Sequence, residues 1–263
     1  MKIAILGTGN LGNAIAKGVI NSNLKVDSLY LTKRNLVELA SWKNENKVHL
    51  TSSNSEAVQQ SDIIIIAVQP KQLIEVLNDI KNHLIASKHT VISVVTGRKI
   101  EDIETYLGSE LPIIRCMPNT AIAVSQSMTC LCANKKGALH LETAKNIFNA
   151  LGTTLFIEEK LMQAATVICA SGIAFWMRLI RATTQGAIQL GFDAKEAQEL
   201  AMQTCLGAAS LLIKSGSHPE QEIDKVTTPS GCTISGLNEM EHQGLSSSLI
   251  KGLVVSYNKI NQI

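Results

Sequence analysis

The chain has 263 residues, 45% hydrophobic and 17% charged, and a formal net charge of +2. That supplies the core of one large domain or two modest ones, and with aromatics at 3% aliphatic side chains must fill it. The near-balanced charge gives no case for nucleic acid or an anionic membrane, and no apolar run approaches the ~18 residues that span a bilayer.

The chain opens Lys2-Ile3-Ala4-Ile5-Leu6-Gly7-Thr8-Gly9-Asn10-Leu11-Gly12. Ile3 to Leu6 has the length and composition of a buried parallel strand. Gly7, Gly9 and Gly12 follow in G-x-G-x-x-G spacing, and Ala14, Ile15, Ala16, Val19 and Ile20 continue at helical spacing. Strand, glycine turn and helix together predict a dinucleotide site with its pyrophosphate on the helix N-terminus. Because this strand starts almost at Met1, no signal peptide is expected.

The second strand, Ser28 to Thr32, runs into Lys33-Arg34-Asn35 and carries no acid for a ribose 2′-hydroxyl. Lys33 and Arg34 suit a 2′-phosphate instead, so NADPH is expected over NADH, although a solvated basic turn has the same composition. A helix is expected over Leu36 to Lys43, a strand over Val48 to Thr51 and a helix start at Ser53-Asn54-Ser55-Glu56. Ile63 to Val68 reads as a central strand ending at Gln69-Pro70-Lys71, at the edge where such sheets bind ligands. The helix Leu73 to Leu84 leads to a strand from Thr90 to Val95, ending in Thr96-Gly97 at the same edge. Then come the helix Ile100 to Leu107 and the strand Ile113 to Met117, which ends in Pro118-Asn119-Thr120. Val124 to Cys132 and Thr153 to Ile157 can add strands, with the helix Leu141 to Leu151 between them. The alternation predicts an α/β fold, a Rossmann-type doubly wound, mostly parallel sheet over residues 1–158.

From residue 159 to 263 the pattern turns helical. Leu161 to Leu190 is long and apolar with a break near Ser171-Gly172, and Gly191-Phe192-Asp193 is a turn. Ala197, Leu200, Ala201, Thr204, Ala208, Leu211 and Leu212 form a stripe at i, i+3, i+4 spacing. So apolar a helical segment is hard to cover within one subunit, which predicts a dimerisation domain. Val226-Thr227-Thr228-Pro229-Ser230-Gly231-Cys232-Thr233 is dense in hydroxyls and backbone N–H groups ahead of a helix. It could cradle a carboxylate or be an ordinary capped helix start. The six cysteines and six histidines show no metal-ligand spacing, so no metal is expected, and reduced thiols point to the cytoplasm.

Taken together, these motifs resemble the pyrroline-5-carboxylate reductase family along nearly the whole chain. Ile5 to Gly12 looks like its cofactor motif, Ala67-Val68-Gln69-Pro70 like its A-V-K-P, and Arg115-Cys116-Met117-Pro118-Asn119-Thr120 like its R-x-M-P-N-T. Ala170 to Phe175 is similar to its G-S-G-P-A-Y, and Val226 to Leu237 to its signature V-T-S-P-G-G-T-T-I-A-G-L. The resemblance implies a Rossmann domain, a helical dimerisation domain, and reduction of a cyclic imine carboxylate by NADPH or NADH. It implies a homodimer or larger assembly, often a pentamer of dimers, with sites shared between subunits. It also places Asn54 near the adenosine ribose. Thr233 and Thr228 are then the candidate catalytic residues, with Ser230, Gly231 and Cys232 holding the substrate carboxylate. The cofactor would meet Gly7, Thr8, Gly9, Asn10, Leu11, Gly12, Lys33, Arg34, Asn54, Ala67, Val68, Gln69, Pro70, Thr96, Gly97, Pro118 and Asn119.

The chain departs from the family pattern at Gln69 for a Lys, Ile173 for a Pro, Arg181 for a frequent Glu, and Ser230 and Cys232 for Gly and a small residue or Thr. Position 230 is the one where glycine would hold a backbone angle that serine resists. Two further readings use the same residues: a divergent reductase of another imine or oxo acid, and a dinucleotide-binding protein without catalysis. Retained Thr233 favours the enzymes.

Overall fold

A computed structural model describes residues 1–261 of the chain. Its first part alternates β1 (Lys2–Leu6), α1 (Asn10–Asn21), β2 (Ser28–Thr32), β3 (Val48–Thr51), α2 (Asn54–Gln59), β4 (Ile63–Ile66), α3 (Leu73–Ile80), β5 (Thr90–Ser93), α4 (Ile100–Leu107), β6 (Ile113–Met117), β7 (Ser127–Ala133), α5 (Leu141–Asn149) and β8 (Gly152–Phe156). The strands form one sheet in the order β3-β2-β1-β4-β5-β6-β7-β8. It is parallel from β3 to β6, β7 runs antiparallel to β6, and β8 is parallel to β7.

The central strands β1 and β4 are almost wholly apolar because both faces of the sheet are covered there, whereas β3 and β8 are partly exposed. Side chains alternate between two cores, as the two-residue period of a strand requires. Ile3, Ile5, Leu29, Leu31, Ile65 and Ile92 meet Ile15 and Val19 of α1 and Ile147 and Phe148 of α5. Ala4, Leu6, Ile64, Ile66 and Val91 meet Val58 of α2, Leu77 and Ile80 of α3 and Ile103 of α4. The strand order reverses between β1 and β4, so the chain leaves their carboxyl ends toward opposite sides and opens a crevice there.

Several local readings are corrected. The expected helix over Leu36 to Lys43 is a 3-10 helix, Leu36–Trp42, started by Asn35, whose side chain accepts from the Val37 N–H. Trp42 buries itself and donates its indole N–H to Asn13 Oδ1 at 2.8 Å, so tertiary anchoring sets the segment. The expected strand from Val124 gives way to a 3-10 turn, Thr120–Val124, and a left-handed Ser125 before β7.

After β8 the chain is helical: α6 (Met162–Ala165), a π-helical turn (Thr166–Ser171), α7 (Gly172–Gln189), α8 (Ala194–Ser215), α9 (Pro219–Val226), α10 (Cys232–His242) and α11 (Leu245–Ile260). By packing, Gly172–Asn258 forms one compact unit and the rest of the described chain another. The division falls at the Ser171-Gly172 break, thirteen residues beyond the change in sequence pattern after 158. Residues 159–171 stay with the sheet because Met162 is buried in its core and Glu159 is anchored to it. Glu159 Oε1 accepts from Arg115 Nη1 at 2.6 Å and from the Ile100 N–H at 2.7 Å.

The helical run Glu159–Gln189 is long and apolar enough to cross a membrane by length and composition, which corrects the reading that no run reaches that length. In the second unit α7 and α8 pack on each other, and their buried residues are Gly172, Thr184, Ala197 and Ala201, whereas α9, α10 and α11 have none.

Candidate functional site

A cavity of about 590 Å³ lies at the carboxyl ends of β1, β2 and β4. Of the expected cofactor residues, Gly7, Thr8, Gly9, Lys33, Arg34, Asn54, Ala67, Val68 and Gln69 line it. Asn10, Leu11 and Gly12 form the first turn of α1, directly after this wall.

The glycines fit a pyrophosphate for three separate reasons. Gly7 has φ +91°, and a Cβ there would stand 2.4 Å from Val68 Cγ1. A Cβ on Gly12 would stand 2.4 Å from the Gly7 carbonyl oxygen, so only glycine lets α1 start this close to β1. A Cβ on Gly9 would meet nothing within 4 Å, so the space beside it is open. Gly9 is also the N-cap of α1, with no side chain capping it and no acid in the first turn. The free N–H groups and positive dipole end of α1 are thus left for an anion. Thr8 is buried with an Oγ1 that has no hydrogen-bond partner, as expected of a group that a phosphate completes.

Thr32, at the end of β2, is a site residue that the sequence reading missed. Its Oγ1 accepts from the Gly7 N–H at 3.2 Å and donates to Asn54 Oδ1 at 2.7 Å, which ties the glycine turn to α2. A threonine in place of the usual acid was the available signal. Asn54 in turn donates from Nδ2 to Asp79 Oδ2 at 3.0 Å. Beside it Lys33 pairs with Glu38 at 2.6 Å, and Arg34 pairs with Glu75.

The remaining expected cofactor residues lie outside this cavity lining. Pro70 opens a 3-10 turn after β4, and Thr96 and Gly97 follow β5 with Gly97 at φ +75°. Pro118 and Asn119 follow β6. Asn119 is buried and both ends of its amide are engaged: Oδ1 accepts from the Ala121 N–H and Nδ2 donates to the Cys169 carbonyl, both at 3.0 Å. The neighbouring Cys130 thiol, as a hydrogen-bond donor, holds the Cys169 pKa below the ordinary thiol value, and the same pairing together with burial pushes that of Cys130 up.

The second unit holds the other candidate residues. Thr228, Ser230, Cys232 and Thr233 are exposed, at and just before the N-terminus of α10. Ser230 has φ +57°, the left-handed angle that a glycine would hold without strain. A Cβ on Gly231 would stand 2.4 Å from Thr228 Oγ1, so glycine is what lets that hydroxyl fold back against the turn. The Gly231 N–H is engaged by the Thr228 carbonyl at 2.9 Å. The N–H groups at the start of α10, from Cys232, Thr233 and Ile234, are the donors that remain; Gly231 caps the helix without a side chain, and the first turn carries no acid. Ile173 and Arg181 both lie on α7, with Arg181 exposed.

Comparison with known proteins finds a family for each part of the chain. Residues 159–263 match the family model of pyrroline-5-carboxylate reductase dimerisation, and residues 2–97 match that of coenzyme F420-dependent NADP oxidoreductases. Two pyrroline-5-carboxylate reductases of Dictyostelium discoideum are 48% and 44% identical over 98% of this chain. The chain spans 49% of the length of the first and 91% of the second. A solved reductase from Coxiella burnetii superposes with a TM-score of 0.92 at 29% identity, covering 99% of this chain and 97% of that one. The Plasmodium falciparum pyrroline carboxylate reductase, with NADP bound, superposes with a TM-score of 0.87 at 28% identity, again covering 99% and 97%. The apolar helical run from Glu159 therefore opens a dimerisation segment, and the chain belongs to the pyrroline-5-carboxylate reductase family.

Proposed function

We propose that this chain reduces 1-pyrroline-5-carboxylate to L-proline in the cytoplasm, with NADPH preferred to NADH, as a dimer or a larger assembly of dimers. The first unit holds the cofactor: the Gly7–Gly12 turn and the start of α1 take the pyrophosphate, Asn54 the adenosine ribose, and Lys33 and Arg34 the 2′-phosphate. When bound, the cofactor supplies a hydride to the imine carbon. The remaining work falls to the loop before α10. Its free N–H groups and dipole end hold the substrate carboxylate, and the Thr228 hydroxyl, packed against Gly231, assists. The Thr233 hydroxyl hydrogen-bonds the imine nitrogen and fixes the ring. Residues 228–233 contain no His and no carboxylate, so the nitrogen's proton comes from water or from a substrate already protonated.

The observation that carries this reading is the Thr228–Gly231 contact at an uncapped helix start: a hydroxyl and free N–H groups converge on an exposed spot that suits a small carboxylate. The test is steady-state oxidation of NADPH by the purified protein with the cyclic imine, beside a panel of other imines and oxo acids. Thr233→Ala should slow turnover roughly 10- to 100-fold, as expected for one lost transition-state hydrogen bond. Thr233→Ser should retain much more activity. Unchanged kcat and KM in the alanine variant would remove Thr233 from the site, and turnover of an oxo acid alone would overturn the substrate assignment.

A further inference from the structure

The cofactor cavity is lined by three carboxylates, Glu38, Glu75 and Asp79, against two cations, Lys33 and Arg34. That balance has the wrong sign for a cofactor with an additional phosphate. Asp79 is committed to the neighbouring element, accepting from Asn54 Nδ2 at 3.0 Å and Ser55 Oγ at 3.1 Å. Glu38 lies five residues after Lys33, on the 3-10 helix Leu36–Trp42 that follows it, and the two pair at 2.6 Å. Glu75 differs, because it reaches Arg34 from another element. Arg34 Nη2 donates to both of its oxygens, at 3.1 and 2.9 Å. Glu75 stands in the first turn of α3, and that helix is pinned by Leu73, Val76, Leu77 and Ile80 against the sheet. The side chains of Arg34 and Glu75 are 75% and 68% exposed, so the pair is weak and a phosphate can take the guanidinium. The backbone of Glu75, fixed with its helix, then keeps the carboxylate within reach of the phosphate as a like charge.

We propose that Glu75 is a specificity-determining residue for the cofactor. It occupies Arg34 in the free protein and opposes the 2′-phosphate in the complex. It thereby holds the preference for NADPH below what Lys33 and Arg34 alone would confer. This rests on the reading that the cavity binds NADP(H).

The test is fluorescence titration of the full chain and of Glu75→Gln with NADPH and with NADH, at low and high salt. Removing the like charge should tighten NADPH by roughly three- to tenfold and move NADH by less than about twofold. The gain should shrink at high salt, where exposed charges are screened. Glu75→Ala should act in the same direction, and thermal unfolding should show both variants folded, as expected for an exposed position. If the unmodified protein binds neither cofactor, the assignment of the cavity itself fails. If it binds both and the variants leave the NADPH to NADH ratio unchanged or lower it, only the role of Glu75 is overturned.

Discussion

Ser230 shows how a single backbone angle separates this chain from the glycine pattern it resembles. Its φ of +57° puts the Cβ in a region that L-residues occupy at a cost, and the turn still forms because Thr228 accepts from the Gly231 N–H one residue on. The exposed serine makes no packing contribution that would offset the strain. Ser230→Gly should therefore raise stability by roughly 0.5–1 kcal/mol, the strain relieved less the extra chain entropy of glycine. Thermal unfolding of a chain this size should move up by about 1–4 °C. A fall instead would mean that the serine side chain supports the loop. At the neighbouring position the argument inverts: a Cβ on Gly231 would stand 2.4 Å from Thr228 Oγ1, so a larger residue would have to displace that hydroxyl.

At the scale of elements, the antiparallel β7 and the strand after it extend the sheet beyond its parallel part. The pair opens with Gly152 opposite Ser127; Gly152 has φ +146°, and a Cβ there would lie 2.1 Å from the Ser127 carbonyl oxygen and 2.4 Å from the Ser127 nitrogen. Neither atom can give way, because the Ser127 N–H is bonded to the Leu151 carbonyl at 3.1 Å and Ser127 Oγ accepts from the Asn119 N–H. Gly152→Ala should destabilise the first unit by about 3 kcal/mol or more, through backbone overlap and not lost burial. The urea midpoint of the purified variant measures this, and a midpoint within error of the parent would show that β8 can shift its register.

At the scale of the whole molecule, the dominant fact is how little of the second unit is covered. Trp176, Met177, Leu206, Leu211, Ile213, Ile250 and Val255 are large apolar side chains left exposed in one chain. Such surface exceeds what scattered apolar residues explain, and it lies in the segment that matches the family's dimerisation model. The chain is accordingly a homo-oligomer, and the second unit should owe much of its stability to its partner. Light scattering at micromolar concentration should give at least a dimer, and its thermal transition should rise with protein concentration. A stable, active monomer under those conditions would contradict this.

Sequence alone determined the elements that local chemistry dictates. The run Ile3 to Leu6 had to be a strand covered on both faces, the glycine spacing had to make a tight turn, and Ser53 had to cap a helix, its side chain accepting from the Glu56 N–H. The left-handed angle at position 230 was legible only through the family signature, whose glycine there marks a φ that serine resists. These are properties of residues within a few positions of one another. What only the tertiary structure decided are pairings between distant elements. Arg34 is held by Glu75, forty-one residues on. The Asn119 amide ties a π-helical turn through Cys169, and Arg115, 4% exposed, anchors Glu159 and so keeps residues 159–171 with the sheet. No periodicity encodes such contacts, because they depend on which strands become neighbours and on how far each helix is pressed against the sheet. Those are set by the packing of the two cores as a whole.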